Sequence, residues 1–136
     1  MEVFKTLIVD DNAAIRWILT DILSLQFPTM IIREAAEGKE ALQKVEDLQP
    51  NLIFMDIGLP HQNGLELTRE IKVKYPNIKI VIFSSNSSPE YKEVAYRNGA
   101  SYYLVKGTNI IGEITSLVES ILLGFGYDKC GFKMDW

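Results

Sequence analysis

Four short apolar runs limit the folds open to this chain more than any other feature. They cover residues 7–9, 52–55, 80–83 and 102–105, and none of them alternates between polar and apolar residues. Strands that are apolar throughout are usually buried on both faces, as in a parallel sheet covered by helices on both sides. With a further strand predicted at residues 30–34, strand-like and helix-like segments alternate five times. The pattern therefore predicts repeated βα units around a parallel sheet.

The helix-like segments have recognisable boundaries. Asn12 is a suitable N-cap for a first helix, whose predicted buried stripe is Ile15, Ile18, Leu19, Ile22 and Leu23. A second helix follows Gly38, and a third covers residues 65–75 because the residue before a proline is pushed out of the helical region. The fourth begins at Ser88 and ends at residues 98–99. The fifth is predicted to stop at Gly124 and to bury Ile111, Ile114, Val118 and Ile121.

The chain is long enough for one domain, and its composition excludes several functional classes. We predict a domain over residues 1–124 and a short tail over residues 125–136, which has no clear period and no assigned role. The net charge of −4, with basic residues scattered among acidic ones, argues against direct nucleic-acid binding. The first residues lack a basic segment followed by an apolar one, so we expect no secretory signal, and no apolar stretch comes near the roughly 20 residues that span a bilayer. A single cysteine excludes an internal disulfide, so we expect a cytoplasmic protein.

Polar side chains follow several of the predicted strands at the point where each strand ends. Asp10 and Asp11 follow the first run, Asp56 follows residues 52–55, Ser84 follows residues 80–83 and Lys106 follows residues 102–105. The carboxyl ends of parallel strands meet at one edge of the sheet, where ligands bind in open α/β folds. We therefore expect three carboxylates, one hydroxyl and one ammonium to lie close together.

Three neighbouring carboxylates favour a bound cation. At about 4 Å and an effective dielectric near 20, each like-charge pair costs on the order of 4 kcal/mol. A few hard oxygen ligands with room for water suit Mg²⁺ better than a softer metal. The alternative is that Asp10 and Asp11 only cap the first helix, but Asp56 and Lys106 at matching strand ends favour a magnesium-dependent site that accepts a phosphoryl group.

The chain resembles the receiver domain of the two-component response regulator family over residues 4–124. The resemblance rests on the segments Val9-Asp10-Asp11, Met55-Asp56-Ile57-Gly58-Leu59-Pro60, Asn63-Gly64, Phe83-Ser84, Gly99-Ala100 and Tyr103-Leu104-Val105-Lys106. Together, in this order and at these intervals, the motifs are highly specific. The resemblance implies a flavodoxin-like, doubly wound (βα)5 sandwich with a five-stranded parallel sheet in the order 2-1-3-4-5.

The resemblance also implies a role for each residue at the predicted edge. Asp56 would be the phosphoacceptor, a carboxylate nucleophile that forms an acyl phosphate and also ligates Mg²⁺. Asp11 would ligate the metal directly, Asp10 would act through a bound water, and Gly58 would contribute its backbone carbonyl. Lys106 would pair with one phosphoryl oxygen.

A second pair of residues matches the family's conformational switch. Ser84 would hydrogen-bond a phosphoryl oxygen, and the ring of Tyr103 would swing inward when the Ser84 hydroxyl moves toward the phosphate. The alternative for Tyr103 is simple packing, since Tyr102 and Tyr103 point to opposite faces of a strand. Phosphorylation would then remodel the face built from the fourth helix, fifth strand and fifth helix.

The implied partners are proteins rather than metabolites. The donor would be a histidine kinase or a histidine phosphotransfer protein, and a homodimer could form on phosphorylation. The motifs most resemble receivers that carry a C-terminal helix-turn-helix, yet only a dozen residues follow the last helix. The chain is therefore expected to be a stand-alone receiver or a fragment of a longer regulator, which acts on a downstream protein or on a missing output domain.

Three further interpretations stay open at this point. Trp17 lies off the predicted buried stripe, so it either helps to dock the phosphoryl donor or packs against the tail residues Phe125 or Tyr127.

A receiver catalyses only its own phosphorylation and dephosphorylation and is not an enzyme in the ordinary sense. The rival class is a Mg²⁺-dependent aspartyl-phosphate phosphohydrolase, although Gly58 stands where that class has a second acid. A degenerate receiver that only binds partners is the third possibility.

Overall fold

A computed structural model describes residues 2–135 as five strands and five helices in strict alternation. Residues 1 and 136, which the predicted domain and tail include, lie outside the described range. The strands are β1 (Lys5–Val9), β2 (Ile31–Ala35), β3 (Leu52–Met55), β4 (Lys79–Ser84) and β5 (Tyr102–Val105). The helices are α1 (Ala13–Gln26), α2 (Gly38–Leu48), α3 (Gly64–Lys74), α4 (Pro89–Arg97) and α5 (Ile110–Gly124).

The five strands form one parallel sheet in the order β2-β1-β3-β4-β5, which confirms the predicted doubly wound fold. The register places Ile8 beside Phe54, Phe54 beside Val81, and Val81 beside Tyr102. Because successive side chains in a strand point to opposite faces, each strand supplies apolar residues to two cores. This is why the runs contain no polar alternation.

Two apolar cores lie on the two faces of the sheet. One contains Leu7, Ile53 and Ile80 with side chains of α2, α3 and α4. The other contains Ile8 and Phe54 with side chains of α1 and α5. Helices cover both faces, so the strand ends are the places where polar side chains reach solvent.

The structure corrects several details of the predicted elements. β2 and α3 are each shifted by one residue from the predicted positions, whereas α5 ends at Gly124 as predicted. Ile18 is 45% exposed because it lies at the flank of the buried stripe of α1, where Leu19, Ile22 and Leu23 face the sheet. Ile111 is 57% exposed, and its neighbour Ile110 packs on the core at the start of α5 instead.

The tail folds back onto the domain. Tyr127 is buried and packs edge-on against Phe4 at a ring-centroid distance of 5.3 Å. Tyr127 also forms an isolated antiparallel bridge with Lys133, and the Thr29 hydroxyl donates to the Gly131 carbonyl at 3.2 Å. Phe4 and Thr29 precede β1 and β2, so the tail covers the edge of the sheet where the strands begin.

None of the helices within residues 2–135 combines the length and the apolar character that crossing a bilayer requires.

Candidate functional site

Backbone hydrogen bonds continue past the strand ends and hold the predicted polar residues in register. Asp10 N–H donates to the Ala35 carbonyl at 3.0 Å, and Asp56 N–H donates to the Val9 carbonyl at 2.9 Å. On the other side of the sheet, Lys106 N–H donates to the Ser84 carbonyl at 2.8 Å. The ladder therefore fixes the backbone of Asp10, Asp56 and Lys106 at the edge where the strands end.

Asp10, Asp11 and Asp56 form a carboxylate cluster at this edge. One oxygen from each carboxylate lies within 4.8 Å of the other two. Asp10 is buried, Asp56 is half-buried and Asp11 is exposed, so the cluster opens to solvent on the Asp11 side. Three hard oxygen donors with an open side fit Mg²⁺, which keeps several waters when it binds to proteins.

Lys106 lies over the carboxylate cluster and links two of its members. Its Nζ donates to Asp10 Oδ2 at 3.1 Å and to Asp56 Oδ1 at 3.4 Å. The other oxygen of Asp10 accepts from Asn12 N–H at 2.9 Å. Both oxygens of the buried Asp10 are therefore satisfied, and one cation is shared between two carboxylates.

The pKa of Asp56 reflects opposing influences. Burial raises the pKa of this carboxyl above its ordinary value, and the negative charge of Asp10 raises it further. Lys106 acts in the opposite direction, by its charge and by its hydrogen bond, but does not cancel the rise in pKa. Asp56 is thus a carboxylate whose negative charge the folded protein only partly compensates, and such groups are found at functional sites.

Two glycines shape the loop that follows Asp56. A Cβ on Gly64 would lie 1.9 Å from the Asp56 carbonyl oxygen, so only glycine allows α3 to begin this close to the site. A Cβ on Gly58 would meet no atom within 4 Å. The loop is therefore open at Gly58, two residues after Asp56, whereas Gly64 allows close backbone packing.

The two residues of the predicted switch both contact Asn86, in the loop between β4 and α4. Ser84 is buried, and its hydroxyl oxygen accepts from Asn86 N–H at 3.1 Å. Tyr103 donates its hydroxyl to the Asn86 carbonyl at 2.6 Å. Burial raises the pKa of Tyr103, which keeps the hydroxyl protonated as a donor. The loop is therefore linked to β4 and β5 on its two sides.

Trp17 does not pack against the tail. Its side chain is 74% exposed, whereas Phe125 and Tyr127 both pack edge-on against Phe4. The packing alternative is therefore wrong, and donor docking by Trp17 stays a prediction.

Sequence reasoning missed one side chain at this edge. Arg16 donates from Nη1 to the Asp10 carbonyl oxygen at 2.7 Å and from Nε to Glu34 Oε1 at 2.9 Å. A basic residue early in a helix gives no signal by itself. Arg16 stands about one turn after the N-cap Asn12, so its side chain can reach back to the strand end that precedes the helix, but this spacing alone does not identify the carbonyl that it contacts.

Comparison with known proteins defines the class. Residues 6–119 match the response regulator receiver domain family, and the chain therefore belongs to that family. It is the receiver domain type found in two-component response regulators.

Three relatives illustrate the similarity. The chain is 37% identical over 124 residues to the oxygen regulatory protein NreC of Staphylococcus carnosus, covering 90% of this chain and 57% of NreC. A two-component response regulator of the LuxR family from Aurantimonas sp. SI85-9A1 has a TM-score of 0.82 at 27% identity, covering 90% of this chain and 87% of that one. The response regulator TrrA from Thermotoga maritima, in complex with Mg(2+)-BeF, has a TM-score of 0.78 at 30% identity, covering 88% of this chain and 99% of that one. The chain spans about half the length of full-length curated regulators such as DegU, VraR and NreC.

Proposed function

We propose that this chain is a phosphorylation-dependent signalling switch whose phosphoacceptor is Asp56. The observation that carries the proposal is the convergence of Asp10, Asp11, Asp56 and Lys106 at one edge of the sheet, with Lys106 Nζ 3.4 Å from Asp56 Oδ1. Phosphoryl transfer depends mainly on positioning and on neutralising charge, and these four groups supply both. The match to the receiver family, and the Mg(2+)-BeF complex of the similar TrrA, support the same reading.

The proposed reaction is a direct transfer to the carboxylate. An oxygen of Asp56 attacks the phosphorus of a phosphohistidine, the new O–P bond forms, and the P–N bond breaks with its electron pair returning to the imidazole. Asp11, Asp56 and the Gly58 carbonyl would hold Mg²⁺, with Asp10 acting through a water. When bound, Mg²⁺ offsets the negative charge of the carboxylates and of the incoming phosphoryl group. Lys106 pairs with a phosphoryl oxygen, and the Ser84 hydroxyl hydrogen-bonds another.

The conformational output of the switch is assigned to the β4–α4 loop and Tyr103. A Ser84 hydroxyl that turns toward the phosphoryl group gives up its contact with Asn86 N–H, which is now 3.1 Å away. The Tyr103 hydroxyl contacts the same loop residue, so the loop and the ring respond together. Exposed aromatic side chains on the neighbouring surface offer a protein-binding face, namely Tyr91, Tyr96 and Tyr102.

The proposed partners follow from this chemistry. A histidine kinase or histidine phosphotransfer protein supplies the phosphoryl group, with Trp17 on α1 as a docking side chain, in the cytoplasm. The output is a contact with a downstream protein, with an output domain outside this chain, or with a second copy. The chain is not an enzyme for external substrates, since it modifies only itself.

Intact-mass spectrometry after incubation with acetyl phosphate tests the proposed acceptor. We expect one phosphate adduct per chain with Mg²⁺, no adduct with EDTA, and no adduct in Asp56→Asn. The matched control is Asp21→Asn, which removes an exposed carboxylate on α1 and should be labelled like the wild type.

Three outcomes would contradict the proposal. An adduct that persists in Asp56→Asn would remove the acceptor assignment. Steady release of product from a generic phosphoester would favour the phosphohydrolase class. Absence of both an adduct and beryllofluoride binding would indicate a degenerate receiver that only binds partners.

A further inference from the structure

We infer that Arg16 is a positioning residue for the metal and phosphoryl site, acting on the peptide that joins Asp10 to Asp11. The inference rests on the proposed function, since it concerns the same carboxylates. Its basis is the Arg16 guanidinium, which donates to the Asp10 carbonyl oxygen at 2.7 Å. That carbonyl belongs to the peptide unit between Asp10 and Asp11. Because a peptide unit is planar, the orientation of this carbonyl helps to set the direction in which the Asp11 side chain points away from the backbone.

With Arg16 in place, every polar atom of Asp10 has a partner. The backbone N–H donates to Ala35, and the carbonyl oxygen accepts from Arg16. Oδ1 accepts from Asn12 N–H at 2.9 Å, and Oδ2 accepts from Lys106 at 3.1 Å. Asp11 is different, because it is exposed and its direction depends on the residues before and after it. The Arg16 contact therefore fixes the backbone that precedes Asp11, which the exposed Asp11 side chain does not fix by contacts of its own.

Arg16 is itself held in place from β2. Its Nε donates to Glu34 Oε1 at 2.9 Å, and the Arg16 side chain is only 19% exposed. Glu34 in turn accepts a hydrogen bond from Lys44 Nζ through its backbone carbonyl, and Lys44 pairs with Glu40 at 3.2 Å. The guanidinium thus connects α1, the end of β1 and the end of β2 in one network.

The charges in this network suit a role in positioning rather than in neutralising the site. Glu34 offsets the charge of Arg16, so the pair adds little net positive charge beside a cation site. The two contacts of Arg16 leave from different nitrogens of a planar group, and lysine has only one nitrogen for both. Replacing arginine by lysine therefore keeps the charge and removes the fixed geometry.

Calorimetric titration with MgCl₂ tests the inference without using the phosphorylation reaction. Residues that orient metal ligands without binding the metal typically contribute 10- to 100-fold in metal affinity. We expect Arg16→Ala to raise the Kd for Mg²⁺ about tenfold and Arg16→Lys to restore only part of the loss. At saturating Mg²⁺ the rate of labelling by acetyl phosphate should return to within about twofold of the wild type.

The matched control is Arg33→Ala. Arg33 also donates from Nη1 to a backbone carbonyl, that of Ile32 at 2.9 Å, but in an exposed position on β2. This variant should bind Mg²⁺ with the wild-type Kd. If Arg16→Ala does not fold, Arg16→Lys decides the question, because it keeps the charge and the aliphatic stem.

A wild-type Kd in Arg16→Ala or, where that variant is unfolded, in Arg16→Lys would overturn the inference. Tighter Mg²⁺ binding in Arg16→Ala would also overturn it, since it would mean that Arg16 acts by repelling the cation. The proposed function fails separately, when the wild-type chain itself shows neither Mg²⁺ binding nor a phosphate adduct.

Discussion

At the scale of single residues, the folded protein stabilises the carboxylates of the site unequally. Asp10 is buried, but it accepts hydrogen bonds on both oxygens. Asp56 shares Lys106 with Asp10, and burial together with the Asp10 charge raises its pKa. The fold therefore compensates the charge of Asp56 only in part, and Asp56 is also the proposed acceptor.

This imbalance predicts that Asp56→Asn stabilises the protein when Mg²⁺ is absent. The folded pKa is raised above the ordinary value of 3.8, so stability falls as the pH rises from that value through the folded pKa. At pH 7 the folded wild type bears the full cost of an ionised Asp56, whereas the variant has no ionised group at this position. We expect the variant to gain about 1 kcal/mol in the free energy of unfolding, the usual size of a single-substitution effect.

Urea unfolding in EDTA across a pH series measures this gain. The difference between Asp56→Asn and the wild type should shrink as the pH is lowered through the raised folded pKa of Asp56 toward the ordinary value of 3.8, because the wild-type carboxyl takes up its proton over this range. Saturating Mg²⁺ should also reduce this difference in stability, because the metal stabilises the wild type, which keeps all of the proposed metal ligands. An equal or lower stability of the variant at pH 7 without Mg²⁺ would refute this account of Asp56.

The two glycines after Asp56 should respond in opposite ways to the same added methyl group. Gly64→Ala places a Cβ 1.9 Å from the Asp56 carbonyl oxygen, so the backbone must move and stability should fall by 2 kcal/mol or more, as a rough estimate from overpacking. Gly58→Ala meets no atom within 4 Å and should be neutral or slightly stabilising. Thermal unfolding of both variants checks the pair. Similar losses in both would show that the loop is not packed as described.

At the scale of elements, the tail behaves as part of the fold. Tyr127 is buried against Phe4 at the edge where the strands begin, and aromatic-to-alanine changes in cores cost about 3–5 kcal/mol. We expect Tyr127→Ala to lose about 3 kcal/mol in urea unfolding. Phe132→Ala, in the same tail but 55% exposed, is the matched control and should change the stability by no more than about 0.5 kcal/mol, the usual range for surface substitutions.

The tail and the carboxylate cluster lie at opposite edges of the sheet, so the tail variants also separate stability from chemistry. Folded Tyr127→Ala should be labelled by acetyl phosphate at the wild-type rate. A slower rate in a sample shown to be folded would contradict the separation of the two edges.

The elements that the sequence predicts well are those with a strong local signal. The parallel sheet and its order follow from continuous apolar runs and the receiver motifs, and α5 ends at Gly124 as expected. Burial of Ile18 and Ile111 was predicted wrongly, because helical spacing gives a stripe but does not say where the sheet beneath it stops. The tail has no period to read, since Tyr127 is buried by contact with Phe4, more than a hundred residues earlier in the chain.

The carboxylate cluster was predictable because strand ends converge in any parallel sheet, whatever the loops do. The Arg16 and Asn86 contacts were not, since each depends on a side chain or loop reaching across to another element. The local sequence pattern therefore predicts which residues lie at the carboxyl ends of the strands. The side chains from other elements that contact these residues are known only from the tertiary structure.

At the scale of the whole molecule, the central claim is that a change at Asp56 alters the distant surface formed by β5 and α4. Asn86 connects the two regions, because it contacts Ser84 on one side and the Tyr103 hydroxyl on the other. The amide spectrum of isotope-labelled protein, recorded before and after adding Mg²⁺ with beryllofluoride, tests this claim directly. We expect shifts at the carboxylate edge and also at Asn86, Tyr103 and along α4, all of them absent in Asp56→Asn. Shifts confined to the carboxylate edge would show that the site binds the phosphoryl analogue without acting as a switch.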